Sequence, residues 1–310
     1  MNKKIIRFKK FTLTATLATY LLIFIGGLVR VSGAGLGCPD WPKCFGRWIP
    51  PFNSSQIPPE FNAASFNFTL AWIEYINRLA GMLTGILILI TAILAIKNFR
   101  NRKKIMVPSV LAAVVVAFQG WYGSIVVQSD LQPVTISIHL LLALFIVSLL
   151  LYTLINVHFL DQSPAGKQIK PAGNILRILW LASLIQITLG TEIRSAVEQA
   201  WQKFPLLSAS EILSHTGPVA LVHAMLGILV AAGTVMISIR ILRITNGERF
   251  VRQGIAILNL LILTQLLIGF AMQIFGILPF LQIFHLWSAA LFIGIILVLY
   301  TSLSYQWERP

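Results

Sequence analysis

Long apolar stretches recur along the chain, separated by short polar or Pro/Gly-containing segments. A helix needs roughly 20 mostly apolar residues to cross the hydrocarbon of a bilayer. Eight stretches meet that requirement, at about 11–31, 70–96, 107–127, 134–157, 174–193, 218–239, 253–274 and 280–303. The pattern predicts an all-α integral membrane protein with eight transmembrane helices. The first stretch has features of a secretory signal peptide: a basic start and small residues near Ser32–Ala34. Its apolar part is longer than the apolar region of such a signal, and it has a partner in an internal repeat, so it is read as the first helix.

The repeat appears when the sequence is shifted by 146 residues. Gln119 falls on Gln265, Gly123 on Gly269, Pro133 on Pro279, His139 on His285 and Gly81 on Gly227. The first helix aligns more loosely with the fifth, Gly27–Arg30 against Gly190–Arg194. The expected organisation is two tandem four-helix bundles. The N-terminal half is 1–158, with an outer cysteine loop at 32–69, and the C-terminal half is 159–310. An even number of helices per copy brings both copies in from the same side, which implies a pseudo-two-fold axis along the membrane normal.

Composition agrees with a bilayer. Hydrophobic residues make up 57% of the 310, charged residues 11%, and the mean hydropathy is +0.82, whereas soluble domains carry roughly a quarter charged residues. The net charge of +14 would suit a nucleic-acid partner if it formed one patch. Instead it follows the loops. Eighteen of the 24 Lys and Arg lie at the N-terminus, in alternate loops and at Arg309; the other six are Arg30, Lys43, Arg47, Arg78, Arg194 and Lys203. Basic loops stay in the cytoplasm, so the charge reports topology. The expectation is a multi-pass protein of the cell (inner) membrane with both termini cytoplasmic, surrounded by lipid and without a nucleic-acid partner.

Of the five histidines, His223 and His285 lie about five residues into the sixth and eighth spans, and His139 lies at similar depth in the fourth. All three spans run in the same direction. Strongly polar groups at such depth are costly and mark function. Two imidazoles on facing helices can ligate haem iron axially; the competing reading is a helix-to-helix hydrogen bond. Matched depth and repeat equivalence favour ligation. His158, at the inner end of the fourth span, reads as solvated, and His215, before Pro218, as a loop residue.

The two copies differ. The repeat position of His223 is Asn77, a poor iron ligand beside imidazole. The second copy therefore reads as a six-coordinate haem site, and the first as a site with one protein ligand, His139, and an open position. Glu74 lies three residues before Asn77 on a similar helix face, and its repeat position is Ala220. It either relays protons or holds a substrate group, or it pairs with Arg78 at i,i+4. Arg78, Arg30 and Arg194 either anchor propionates or snorkel to the interface. Cys38 and Cys44 enclose a Pro-rich turn on the oxidising side, suited to a structural crosslink or a redox pair. With Trp41, Trp48, Pro50 and Pro51 the loop reads as an interfacial lid over the first copy. The chain has no Cys-x-x-Cys-His run for covalent haem attachment.

The stretch Gly26-Gly-Leu-Val-Arg-Val-Ser-Gly-Ala-Gly-Leu-Gly-Cys-Pro-Asp-Trp-Pro-Lys-Cys44 resembles the first helix and cysteine loop of bacterial haem A synthases. Glu74-Tyr-Ile-Asn-Arg78 resembles the segment where that family has Glu-x-x-His-Arg, and the segments around His139, His223 and His285 resemble its other haem-ligand helices. The resemblance covers nearly the whole chain. It implies haem b between His223 and His285 in the C-terminal half. The substrate, haem O, is then expected near His139, with Glu74 as the catalytic acid and a Cys38–Cys44 disulfide. The implied activity oxidises one methyl group of haem O to a formyl group, giving haem A for terminal oxidases. An electron donor is then required, and an insoluble substrate favours handover from a haem O synthase. Asn77 departs from the family pattern. The competing classes are a membrane cytochrome b that only carries electrons and a haem carrier without chemistry.

Overall fold

The computed structural model describes residues 3–161, 170–207, 209–245 and 248–305. Lys167 and Arg309, counted above among the inner basic residues, lie outside them. Among the described residues the regular structure is helical: α1 (Lys3–Val31), α2 (Phe68–Phe99), α3 (Lys103–Gln128), α4 (Pro133–His158), α5 (Lys170–Lys203), α6 (Ala209–Ser214), α7 (Pro218–Ile244), α8 (Arg249–Phe275) and α9 (Pro279–Ser302). All but α6 are long and apolar enough to cross a membrane. Hydroxyls inside them bond back to the preceding turn, as Thr12 does to the Phe8 carbonyl at 2.9 Å and Thr234 to that of Val230 at 2.7 Å. Lipid offers such groups no other partner.

The helix ends follow from local chemistry. Asn67 caps α2 by accepting from the Leu70 amide at 3.1 Å. Glu248 caps α8 by accepting from the amides of Phe250 and Val251 at 2.9 and 3.3 Å, a carboxylate at the positive end of the helix dipole. Pro218 and Pro279 open α7 and α9, where a missing N–H costs nothing.

The chain forms two compact units, 1–150 and 151–310. In the first, α1 and α2 run antiparallel, with Phe8 against Phe99 at 4.8 Å between ring centroids. Ala15, Ile88, Ala112, Ile146 and Leu150 build a core shared by α1, α2, α3 and α4. The α1–α2 loop folds on itself: Cys38 and Cys44 are disulfide-bonded, and both pack with Phe45 and Ala71 against Phe61 and Phe66. Gly37 lets the loop lie on the start of α2, since a Cβ there would stand 2.5 Å from the Leu70 carbonyl.

In the second unit, α5, α7, α8 and α9 enclose a core that includes Leu176, Ile237, Leu258 and Ile296. Asn259 on α8 donates to the Ser238 hydroxyl on α7 at 2.9 Å. At the end of α4, Asn156 accepts from the Tyr305 hydroxyl at 2.5 Å.

Candidate functional site

The three candidate ligand histidines stand at matching places. His139 is the seventh residue of α4, His223 the sixth of α7 and His285 the seventh of α9. Each is held by the same device on a neighbouring helix. The side-chain amide of Gln119 on α3 donates to the His139 carbonyl at 2.9 Å, that of Gln186 on α5 to the His223 carbonyl at 2.7 Å, and that of Gln265 on α8 to the His285 carbonyl at 2.8 Å. Four residues, about one turn, beyond each glutamine is a glycine facing the imidazole. A Cβ on Gly123 would stand 3.7 Å from His139 Cε1, on Gly190 3.5 Å from His223 Cε1, and on Gly269 3.7 Å from His285 Cε1. The amide fixes the height of one helix against the other; the glycine gives the ring a flat seat.

The arrangement fits an axially ligated macrocycle. In each of the three imidazoles Nδ1 is sealed from solvent without a hydrogen-bond partner among the described residues, which leaves Nε2 as the nitrogen open to a ligand. The His223 and His285 rings are 6.3 Å apart between centroids and inclined by 54°. Two imidazole–metal bonds of about 2 Å, with half a ring at each end, span roughly 6 Å. Among the described residues no group of three or more His, Cys, Asp or Glu gathers. A porphyrin brings its own equatorial nitrogens and asks the protein only for the axial ones.

The first unit offers one such imidazole. His139 is stacked by Tyr122 at 6.3 Å and 19°, where the repeat position is Ile268. Asn77 is half-buried, and its amide makes no hydrogen bond among the described residues. Glu74 is 3% exposed and pairs with Arg78: Oε1 accepts from Nε at 3.1 Å and from Nη2 at 2.5 Å. Its Oε2 accepts from the Cys38 amide at 2.9 Å. Arg78 Nη1 in turn donates to the carbonyls of Asp40 and Lys43 at 2.9 and 2.7 Å. The carboxylate and guanidinium together clamp the disulfide loop onto α2. Of the two readings of Glu74 the structure displays the ion pair.

Arg194 pairs with Glu198 at 2.8 Å, and Arg30 is half-buried in the last turn of α1. His158 is exposed and stacks on Phe250 at 6.0 Å. His215 is exposed beside Phe204 at 4.9 Å. The sequence alone does not single out Gln186 or Tyr122, and it shows Gln119 and Gln265 only as repeat landmarks. The signal was present as Gln-x-x-x-Gly, written three times.

Fold and site together define a multi-pass α-helical membrane protein whose histidines sit within the helices on repeated Gln/Gly supports. A family model described as cytochrome oxidase assembly protein matches residues 9–297, and the chain belongs to that family. Similar proteins include the Heme A synthase of Shewanella oneidensis, 35% identical over 43% of this chain and 40% of that protein. That of the Wolbachia of Brugia malayi is 24% identical over 71% and 76%, and that of Wolbachia pipientis from Culex pipiens 27% over 62% and 64%. The match to the first thus spans less than half of its length.

Proposed function

We propose that the protein is a haem A synthase, an enzyme oxidising a methyl group of haem O to the formyl group of haem A for terminal oxidases. The observation that carries this reading is the inequality of two otherwise matching supports. His223 and His285 face each other at 6.3 Å, while the first unit presents His139 with Asn77 in the place of the second imidazole. A bis-histidine position suits haem b, which when bound supplies one-electron transfer. A position with a single imidazole suits a porphyrin that must react. The reading assigns the substrate to the half 1–158 and haem b to 159–310.

The chain's own residues supply binding and shielding. Gln265 and Gln186 fix the height of the haem b ligands, and Gln119 and Tyr122 orient His139. The disulfide loop, seated by Glu74 and Arg78, covers the start of α2 and keeps bulk water from the reacting methyl group. Glu74 is the acid nearest that site in sequence, three residues before Asn77, and is the candidate for moving its protons. Arg78, Arg30 and Arg194 are the cations available to propionates. The loop charges support a bacterial inner-membrane location with cytoplasmic termini. The oxidation itself calls for an electron donor, and an insoluble substrate favours delivery by a haem O synthase.

Extraction and chromatography of haems from cells making haem O, with and without this protein, test the reading. Haem A is expected only with it. Haem B and haem O alone, from folded and haem-loaded protein, would reduce the protein to an electron or haem carrier.

A further inference from the structure

The Gln/Gly support has a fourth corner, and it differs. A Cβ on Gly227 of α7 would stand 3.1 Å from Gln186 Nε2. Gly81 of α2, the repeat position of Gly227, would bring its Cβ 4.0 Å from Leu22 Cδ2. Leu22 on α1 therefore occupies the place of Gln186 on α5. Gly26, four residues on, rather than Gly27 as the looser sequence match suggests, then occupies the place of Gly190, as Asn77 does that of His223. At Gly190 the imidazole lies 3.5 Å from the Cβ position, whereas at Gly26 no atom of the described residues lies within 4 Å. Imidazole and amide support are both replaced, the glycine seat is kept, and the space over it is open. Asn77, which the repeat puts in the place of His223, is half-buried, and its amide bonds to nothing among the described residues.

We propose that the seat formed by Leu22, Gly26 and Asn77 is a binding position for a diatomic ligand of ferrous iron, on the side of the substrate porphyrin opposite His139. The inference rests on the reading that the first unit takes haem O. Leu22 makes the seat apolar, which suits a small neutral molecule and disfavours water. The Asn77 amide is the one polar group among these three side chains and can donate a hydrogen bond to the bound ligand. Leu22 is thereby a specificity residue. Restoring glutamine there together with histidine at 77 rebuilds the support seen in the second unit and closes the position from within.

Carbon monoxide is the probe. Full-length protein from cells making haem O is purified, its porphyrins are counted per chain, and the reduced form is titrated with CO by optical spectroscopy. One CO per chain is expected, on haem O. The Leu22→Gln/Asn77→His variant should show two low-spin haems and a CO affinity lowered about tenfold or more, because an internal ligand occupying the position nine-tenths of the time has that effect. Asn77→Ala, which removes only the amide, should keep CO binding and release CO about fivefold faster. Three results overturn the inference: no CO bound by a chain holding both porphyrins, CO binding unchanged in the double variant, or no haem O retained. Haem A formation is read separately. Haem A without CO binding would sink the open seat and leave the synthase; CO binding without haem A would do the reverse.

Discussion

A histidine inside a membrane helix is free to take several rotamers unless its surroundings decide. Here two contacts decide: an amide on its carbonyl and a glycine under its ring. The amide bond contributes through geometry more than energy, since the carbonyl is already bonded within its helix. Gln265→Leu should therefore loosen haem b by roughly fivefold, the worth of one hydrogen bond, measured as the rate of haem transfer to an acceptor protein. The seat is stricter. A Cβ at Gly190 would make an ordinary contact of 3.5 Å with His223, so Gly190→Ala should keep the bis-histidine spectrum. Gly190→Leu would fill the ring's place and should lose it. His223→Ala should purify without haem b at all; full retention would refute the ligand assignment. The histidines proposed as ligands were legible in the sequence because an imidazole in lipid is costly. The residues that aim them were not, because glutamine and glycine in a span have many uses, and only the contacts single these out.

Among the elements, hydropathy located the spans and undershot the helices. The predicted fifth span stops at 193, yet α5 continues to Lys203. At 1.5 Å per residue its 34 residues reach about 51 Å, well beyond a hydrocarbon core of about 30 Å. The added length is polar, and backbone bonds and pairs such as Arg194–Glu198 hold it as helix where hydropathy gives no signal. α6 was missed for the same reason. The α1–α2 loop shows the opposite case: its cysteines announced a crosslink, but its docking on Glu74 and Arg78 joins residues more than thirty positions apart. That pair is nearly buried, and removing one partner of a buried ion pair costs about 3–5 kcal/mol. Glu74→Ala should release the loop, seen as faster proteolysis between 46 and 60, with the haem b spectrum unchanged. Glu74→Gln keeps an acceptor for the Cys38 amide and loses the charge facing Arg78, so it should hold the loop partly. If Glu74→Gln keeps the loop as protected as the parent protein while haem A formation disappears, the carboxylate acts on protons rather than on the fold.

At the scale of the molecule the question is which way the eight spans face. Each basic side chain held back in the cytoplasm favours one orientation, and here the bias is distributed. Lys3, Lys4, Arg7, Lys9 and Lys10 precede or open the first span, and Lys97, Arg100, Arg102, Lys103 and Lys104 lie between the second and third. Arg240, Arg243, Arg249 and Arg252 lie between the sixth and seventh. No single cluster decides, so neutralising the first five should not invert the protein. A fluorescent reporter that folds only in the cytoplasm, fused after Tyr305, should be bright in the parent chain and in that neutralised variant. Alkaline phosphatase, active only outside, should be active when inserted between 46 and 60 and inactive between 100 and 103. The proposed orientation would place the Cys38–Cys44 disulfide in the oxidising compartment, where it would persist, and His139, His223 and His285 in the outer leaflet. A dark fusion after Tyr305 with active phosphatase between 100 and 103 would turn the molecule over. It would leave the disulfide facing a reducing cytoplasm and require the electron donor to approach from the other side.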